Sequence, residues 1–227
     1  MPQLHAKSLL FDMDGTLVDS TALVESTWAG FCERHQIDLG EVLAFAHGRP
    51  TRETVRHFLP DPRLAAEETR RLVAYEESET TGITEVPGAL ALLTALPGYA
   101  WAVVTSASRG LAEVRMAAAG LPLPGTLVSA DDVINGKPDP EGYLRAASAL
   151  GCSPEDSVVI EDSRAGVQAG LAGCGRTVVI GDFDAYDDVA SRWIDFRGFR
   201  VAESRPGRAG VTLEVPEPVS AGLVTRL

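Results

Sequence analysis

The most constraining feature of the sequence is a short apolar run that ends in two aspartates and a glycine. Residues 9–11 are apolar, and they are followed by Asp12, Asp14 and Gly15. An apolar run of this length predicts a buried strand, and glycine permits a tight turn and a close approach of the backbone. In open α/β sheets, ligands bind at the carboxyl ends of the strands. The pattern therefore predicts carboxylates at the ligand-binding edge of a sheet.

Two other interpretations of these aspartates compete with a catalytic one. Aspartate and glycine after a strand often form only a polar turn. Calcium loops of the EF-hand type also begin with two spaced aspartates, but they need Asp or Asn at the fifth position and Glu at the twelfth. Those positions hold Thr16 and Leu23, which argues against calcium.

The composition limits the classes of partner. Of the 227 residues, 45% are hydrophobic, which suffices for the core of an α/β protein. The formal charge of −12 argues against nucleic acid and anionic membranes as partners. No apolar run approaches the roughly 20 residues that cross a bilayer and no signal peptide pattern precedes the first strand, so we expect a cytoplasmic protein. The three separated cysteines predict neither disulfides nor a zinc site. The sequence leaves the oligomeric state open, and a monomer is compatible with it.

A block of helical periodicity follows the first strand, with Ser20 or Thr21 available as its first N-cap. Helices are predicted over residues 23–35, 41–46, 51–58 and 64–80. No strand pattern interrupts this block, and an all-helical block between one strand and a later α/β series predicts an inserted domain. We therefore predict a helical cap over residues 19–85 and a catalytic core made of residues 1–18 and 86–227.

Helices and apolar strands alternate after residue 87. Strands are predicted over residues 101–105, 126–129, 157–160 and 177–180. This alternation is typical of a doubly wound parallel sheet with right-handed crossovers, so the predicted fold class is α/β. Nearer the C-terminus the pattern is weaker: it predicts an edge strand over 193–196, a hairpin of 199–202 with 211–215, and a frayed end over the last ten residues.

Polar residues gather where the predicted strands end. They are Asp12, Asp14, Thr105, Ser106, Lys137, Glu161 and Asp162. Parallel strands place their carboxyl ends on one edge of the sheet, so these side chains are expected around one pocket. Carboxylates with a lysine and a hydroxyl suit Mg²⁺, which prefers oxygen ligands and often binds a substrate phosphate as well. Phosphoryl transfer needs a nucleophile, a proton shuttle and positive charge, and this set contains all three.

These segments resemble, in order, the four motifs of the haloacid dehalogenase superfamily. The matching segments are Asp12-Met-Asp14-Gly-Thr, Val-Val-Thr105-Ser106, Gly-Lys137-Pro and Glu161-Asp162-Ser. The resemblance spans residues 8–181, and the helical insertion is similar to the type-one cap of that superfamily. Within it, the chain looks most like bacterial sugar-phosphate and polyol-phosphate phosphatases. The resemblance implies a phosphoric monoester hydrolase that acts on a small-molecule phosphate ester.

The resemblance also implies a role for each matching residue. Asp12 is expected to attack phosphorus and form an aspartyl phosphate, and Asp14 to act as acid and then as base. Mg²⁺ is expected on Asp12, the backbone carbonyl of Asp14 and Asp162, with Glu161 close by as a supporting or alternate ligand. Lys137 is expected to pair with the phosphate and with the nucleophile.

Some assignments stay open in the sequence. The hydroxyl that binds the phosphate is that of Thr105 or of Ser106. Mutases of β-phosphoglucose share the motifs and the cap, so they are the nearest alternative, whereas dehalogenases usually lack the second aspartate. A phosphorylation-responsive binding module also has aspartates and a lysine at the edge of a parallel sheet, but it needs neither Asp14 nor an inserted cap.

The cap is expected to select the substrate. His47 and Arg49 lie in a loop with glycine and proline at a helix start, and we expect them to contact the polar end of the substrate. Other noticeable residues have structural interpretations. We expect Arg52, Arg56 and His57 on a solvated helix face, and Asp131 and Asp132 in a turn. Trp28 and Phe31 are expected in the core of the cap, and Asp139 as the cap of a helix.

Overall fold

Strands and helices alternate along most of the chain, which the structure, a computed structural model, describes over residues 1–181, 189–202 and 210–219. The strands are β1 (Gln3–Ala6), β2 (Ser8–Phe11), β3 (Val18–Asp19), β4 (Thr84–Glu85), β5 (Trp101–Val104), β6 (Leu127–Val128), β7 (Ser157–Glu161), β8 (Thr177–Ile180), β9 (Ser191–Trp193), β10 (Arg200–Val201) and β11 (Val211–Glu214). The α-helices are α1 (Thr21–His35), α2 (Leu39–Ala46), α3 (Thr51–Phe58), α4 (Pro62–Ser78), α5 (Ala89–Ala95), α6 (Arg109–Ala118), α7 (Glu141–Ala149) and α8 (Arg164–Gly173). None of these helices combines the length and the apolarity that crossing a membrane requires.

The centre of the fold is a parallel sheet with the strand order β6-β5-β2-β7-β8-β9. In the middle, Phe11 of β2 lies between Val103 of β5 and Ile160 of β7. Every residue of β2, β5, β7 and β8 is buried, because helices cover both faces of the sheet. Residues of α7 and α8 pack on one face, and residues of α5 and α6 pack on the other. The predicted doubly wound α/β fold is confirmed.

Four helices, α1 to α4, lie between β3 and β4 and share their own apolar core. The buried residues of that core include Trp28, Phe31, Val42, Val55 and Leu72. β3 and β4 pair antiparallel, so the two connections between helical block and sheet run side by side. As predicted, no strand lies within the block of four helices, which the structure describes throughout, and β4 was not predicted because two residues are too few to show an alternating pattern. The domain bounds at residues 19 and 85 stay a prediction.

The C-terminal part adds strands at two places. β9 extends the parallel sheet beside β8, slightly earlier than the predicted edge strand. β10 and β11 form the predicted antiparallel hairpin, and β1 adds to it a strand that the sequence analysis did not predict. The predicted frayed end falls mostly on residues 220–227, which lie outside the described residues.

Candidate active site

The chain turns sharply after β2 and brings two aspartates to one cavity. The N–H of Asp12 donates to the carbonyl of Ile160 at 2.9 Å, so this residue continues the sheet. Gly15 then adopts a φ of +84°, and a Cβ there would collide with the carboxylate of Asp162. The glycine is needed both for the backbone angle and for this close approach. Asp12 and Asp14 line the same cavity, while Met13 between them is buried in the apolar core.

Lys137 joins the nucleophile candidate to a second buried carboxylate. Its ammonium group donates to Asp12, to Glu161 Oε1 at 2.6 Å and to the carbonyl of Val104 at 3.1 Å. Burial disfavours the charged lysine, but the two carboxylates raise its pKa above the ordinary value. Burial also raises the pKa of Asp12; Lys137 opposes this shift, whereas Glu161 and Asp162 add to it. The lysine is therefore a fixed positive charge beside Asp12.

Glu161 is completely buried and accepts hydrogen bonds on both carboxylate oxygens. Oε1 accepts from Lys137 and, at 2.9 Å, from the hydroxyl of Tyr143. Oε2 accepts from the N–H groups of Asp162 and Ser163, both at 2.9 Å, and from the Ser163 hydroxyl at 3.0 Å. Burial alone would raise the pKa of Glu161, but Lys137 and these donors bring it below its ordinary value. Glu161 thus holds the lysine and the following loop in place.

Three buried carboxylates form a cluster that could hold a metal ion. Asp12, Glu161 and Asp162 each have an oxygen within 4.8 Å of the others. Asp162 also accepts from the Thr16 hydroxyl at 3.1 Å and contacts His47 Nε2 at 2.9 Å. Burial raises the pKa of Asp162, and the bond to His47 opposes that shift. A cluster with only oxygen donors fits a hard cation such as Mg²⁺.

The two hydroxyl candidates at the end of β5 have different partners. Thr105 Oγ1 accepts from the N–H of Ala107 at 3.0 Å, and within the part of the chain that the structure describes its own proton has no acceptor. Ser106 donates its hydroxyl proton to the carbonyl of Gly48, in the helical block, at 2.8 Å. Both residues line the cavity. The geometry therefore favours Thr105 as the donor to a ligand.

The cavity between sheet edge and helical block has a volume of about 260 Å³, room for a small molecule. Both cap candidates line it. His47 lies against Asp162, which places it nearer to the carboxylate cluster than the sequence indicated. Arg49 packs its guanidinium over the ring of Phe45, 4.7 Å from the ring centre.

Comparison with known proteins decides the family. The model of the haloacid dehalogenase-like hydrolase family matches residues 6–173. The chain belongs to this family. The strand-end residues described above all fall within the matched range, as the resemblance in the sequence implied.

Three known proteins illustrate what this chain is similar to. Hexitol phosphatase A of Escherichia coli (strain K12) is 48% identical over 75% of this chain and 82% of its own length. The 2-deoxyglucose-6-phosphate phosphatase 2 of Saccharomyces cerevisiae is 30% identical over 97% of this chain and 99% of its own length. The β-phosphoglucomutase of Clostridium difficile has a TM-score of 0.75 at 20% identity, covering 84% of this chain and 91% of that one. Because only 20% of the residues are identical, the similarity to this mutase shows a shared fold and nothing about activity.

Several polar residues at the cavity were not predicted as site residues. Arg115 Nη1 lies 2.8 Å from Asp14 Oδ1, and Arg115 Nη2 lies 2.7 Å from Glu76 Oε1. Ser20 precedes α1 but makes no capping bond; its hydroxyl donates to Asp14 Oδ1 at 2.7 Å instead. The hydroxyl of Tyr143 donates a hydrogen bond to Glu161 Oε1. The one sequence signal for Arg115 and Glu76 is a charge on the buried face of a helix, four residues after Leu72 in the case of Glu76 and four after Leu111 in the case of Arg115.

The residues given structural interpretations lie mostly as expected. Asp132 accepts from Ser129 and pairs with Arg109, and Asp139 accepts from the N–H of Glu141 at the start of α7. Trp28 and Phe31 pack edge to face in the core of the helical block, although Trp28 also lines the cavity.

Proposed function

We propose that this hydrolase is a Mg²⁺-dependent phosphatase that cleaves small sugar or polyol phosphate monoesters through an aspartyl-phosphate intermediate. The observation that carries the proposal is the buried Lys137 bound to Asp12, with Asp14 on the same cavity. The names of two similar proteins, hexitol phosphatase A and 2-deoxyglucose-6-phosphate phosphatase 2, support the substrate class. The cytoplasmic location predicted from the sequence remains part of this proposal.

In the first step, an oxygen of Asp12 attacks the phosphorus atom of the ester. The bond between phosphorus and the ester oxygen breaks, and Asp14 gives its proton to the departing alcohol. Lys137 keeps the attacking carboxylate in place and offsets the charge of the phosphoryl oxygens. Thr105 donates its free hydroxyl proton to one of those oxygens. The products are the alcohol and a phosphorylated Asp12.

In the second step, water replaces the aspartate on phosphorus. Asp14, now a carboxylate, takes a proton from the water molecule as the water oxygen bonds to phosphorus. The bond between phosphorus and Asp12 breaks, which releases inorganic phosphate and restores both aspartates to their starting states. Two moderate steps thus replace one very difficult hydrolysis.

Asp12, Asp162 and the backbone carbonyl of Asp14 are the groups that would hold Mg²⁺. The buried, all-oxygen cluster of carboxylates and the close approach of Gly15 to Asp162 fit such an ion. When bound, the ion would supply positive charge that stabilises the phosphoryl oxygens in the transition state. We assign Glu161 a supporting role, because both its oxygens already accept hydrogen bonds.

The helical cap would select the alcohol part of the substrate. His47 and Arg49 lie on the cavity and are our candidates for contacts to its polar end. A cap that closes over the site also excludes water until the second step.

The experiment is a release assay for inorganic phosphate with a panel of hexose, hexitol and glycerol phosphates, run with Mg²⁺ and then with a chelator. The proposal expects metal-dependent release from hexose or hexitol phosphates. β-Glucose 1-phosphate is included with product analysis, because isomerised sugar phosphate without free phosphate would identify a mutase instead. No turnover of any ester would contradict an enzymatic function and favour the binding module.

A further inference from the structure

A buried chain of charged groups joins the helical block to the sheet beside the cavity. Arg115 of α6 contacts Asp14 with Nη1 and Glu76 of α4 with Nη2, at 2.8 and 2.7 Å. The exposed fractions of Arg115 and Glu76 are only 3% and 4%. Thr51 Oγ1, 3.4 Å from the other oxygen of Glu76, belongs to the same group. Neither Arg115 nor Glu76 has a part in the chemical steps described above.

Both polar partners of Asp14 contact the same carboxylate oxygen. The Ser20 hydroxyl donates to Oδ1 at 2.7 Å, and Arg115 Nη1 forms an ion pair with Oδ1 at 2.8 Å. Across residues 1–181, 189–202 and 210–219, no donor lies on Oδ2. An oxygen that accepts a hydrogen bond and also pairs with a guanidinium group has its lone pairs engaged. The arrangement therefore leaves Oδ2 as the carboxylate oxygen that is available to the leaving alcohol.

Stability alone gives no good reason for an arginine at this position. Its Nε is buried and has no hydrogen-bond partner among the residues that the structure describes. A buried donor without an acceptor destabilises the folded state, and apolar residues often replace buried ion pairs without loss of stability. An arginine that is expensive to bury and that touches Asp14 is better explained by what it does to that side chain.

We propose that Arg115 is a positioning residue that aims Asp14 Oδ2 at the ester oxygen, and that Glu76 holds the guanidinium in place from the cap. This inference rests on the proposed function, in which Asp14 protonates the leaving group. By taking Nη2, Glu76 directs Nη1 to Asp14. Glu76, a residue of the helical block, thereby helps to position Asp14, the proton donor of the core.

The test compares kcat/KM for 4-nitrophenyl, phenyl and benzyl phosphate. These esters are similar in size, but their leaving groups become more basic in that order, and kcat/KM covers the steps up to departure of the leaving group. Arg115→Met should lower kcat/KM about 100-fold for benzyl phosphate and less than about fivefold for the nitrophenyl ester, which needs no proton donor. Arg115→Lys should restore part of the loss, and Glu76→Gln should show the same trend more weakly. Arg71→Met, an exposed substitution on α4, is the matched control and should leave kcat/KM for all three esters unchanged.

Equal losses on all three esters would overturn the positioning role, since a purely structural residue has no reason to distinguish leaving groups. That result would leave the phosphatase itself intact. If Arg115→Met does not fold, Arg115→Lys and Glu76→Gln give the same test, because both keep a hydrogen-bonding group in place. If the unaltered protein releases phosphate neither from these esters nor from the hexose and hexitol phosphates of the panel above, the proposed function and this inference both fail.

Discussion

Gly166→Ala is a substitution that should harm this protein although it normally favours a helix. Gly166 lies in the first turn of α8, directly against the carboxylate of Glu161. A Cβ at this position would overlap the carboxylate carbon and both oxygens. The tip of a free glutamate could move aside, but this one is fully buried and held by Lys137, Tyr143 and the start of α8.

The magnitude follows from the contacts that Glu161 would lose. Displacing it from Lys137 leaves a buried charge pair broken, which costs about 3–5 kcal/mol. Alanine in place of glycine returns at most about 1 kcal/mol of helix preference. We therefore expect the free energy of unfolding to fall by about 2–4 kcal/mol, which lowers Tm by about 5–15 °C in a domain of this size. Activity should fall too, because Lys137 loses its anchor.

Urea unfolding followed by circular dichroism measures the change, with phosphate release assayed well below the transition. Gly30→Ala is the matched control, because a Cβ there would have only Arg34 Nη1 within 4 Å, at an ordinary contact distance of 3.4 Å. That variant should be as stable as the unaltered protein, or up to about 1 kcal/mol more stable. A Gly166→Ala protein that equals the unaltered one in stability and activity would refute the rigid placement of Glu161.

Two further predictions follow from single contacts. Thr105→Ala should lower kcat/KM for a phosphate ester about 100-fold and Ser106→Ala much less, because Ser106 already donates its proton to Gly48 whereas Thr105 can donate to the phosphate. Steady-state kinetics would check this prediction, and a larger loss in Ser106→Ala would contradict it. Burial acts to raise the pKa of Glu68, but Arg34 and His35 bring it below its ordinary value. The ionised Glu68 therefore stabilises the folded protein above about pH 4, and this stabilisation is lost as the pH falls through the folded pKa. The stability gap between the unaltered protein and Glu68→Gln, measured by urea unfolding, should therefore shrink from pH 6 to pH 3, and a constant gap would contradict the ion pair.

The sheet and the strand-end residues were predictable because both depend on local pattern. An apolar run that stops at a charged residue marks the end of a buried strand, and the alternation with helices makes the sheet parallel. These two facts suffice to bring Asp12, Thr105 and Glu161 to one edge. Their placement in the structure agrees with this reasoning.

The remaining parts depend on partners far away in the chain. Ser20 was predicted as a possible N-cap, yet its hydroxyl binds Asp14, because the turn after β2 brings that carboxylate within reach. Arg115 meets Glu76 from another helix, 39 residues away, and nothing in either helix specifies that meeting. β1 is a short edge strand whose partner β11 lies near the other end of the chain. Tertiary packing decides each of these cases, so pattern alone could not.

The most direct test of the account is to trap the phosphorylated enzyme. The protein would be mixed with a radiolabelled hexitol phosphate and Mg²⁺, quenched in acid within milliseconds and digested for mass spectrometry, beside an Asp12→Asn variant. The proposed mechanism predicts a labelled peptide with the phosphoryl group on Asp12, which borohydride reduces to homoserine, and no label in the Asp12→Asn variant. Normal release of phosphate without any labelled peptide, or a label on another residue, would contradict the proposed mechanism.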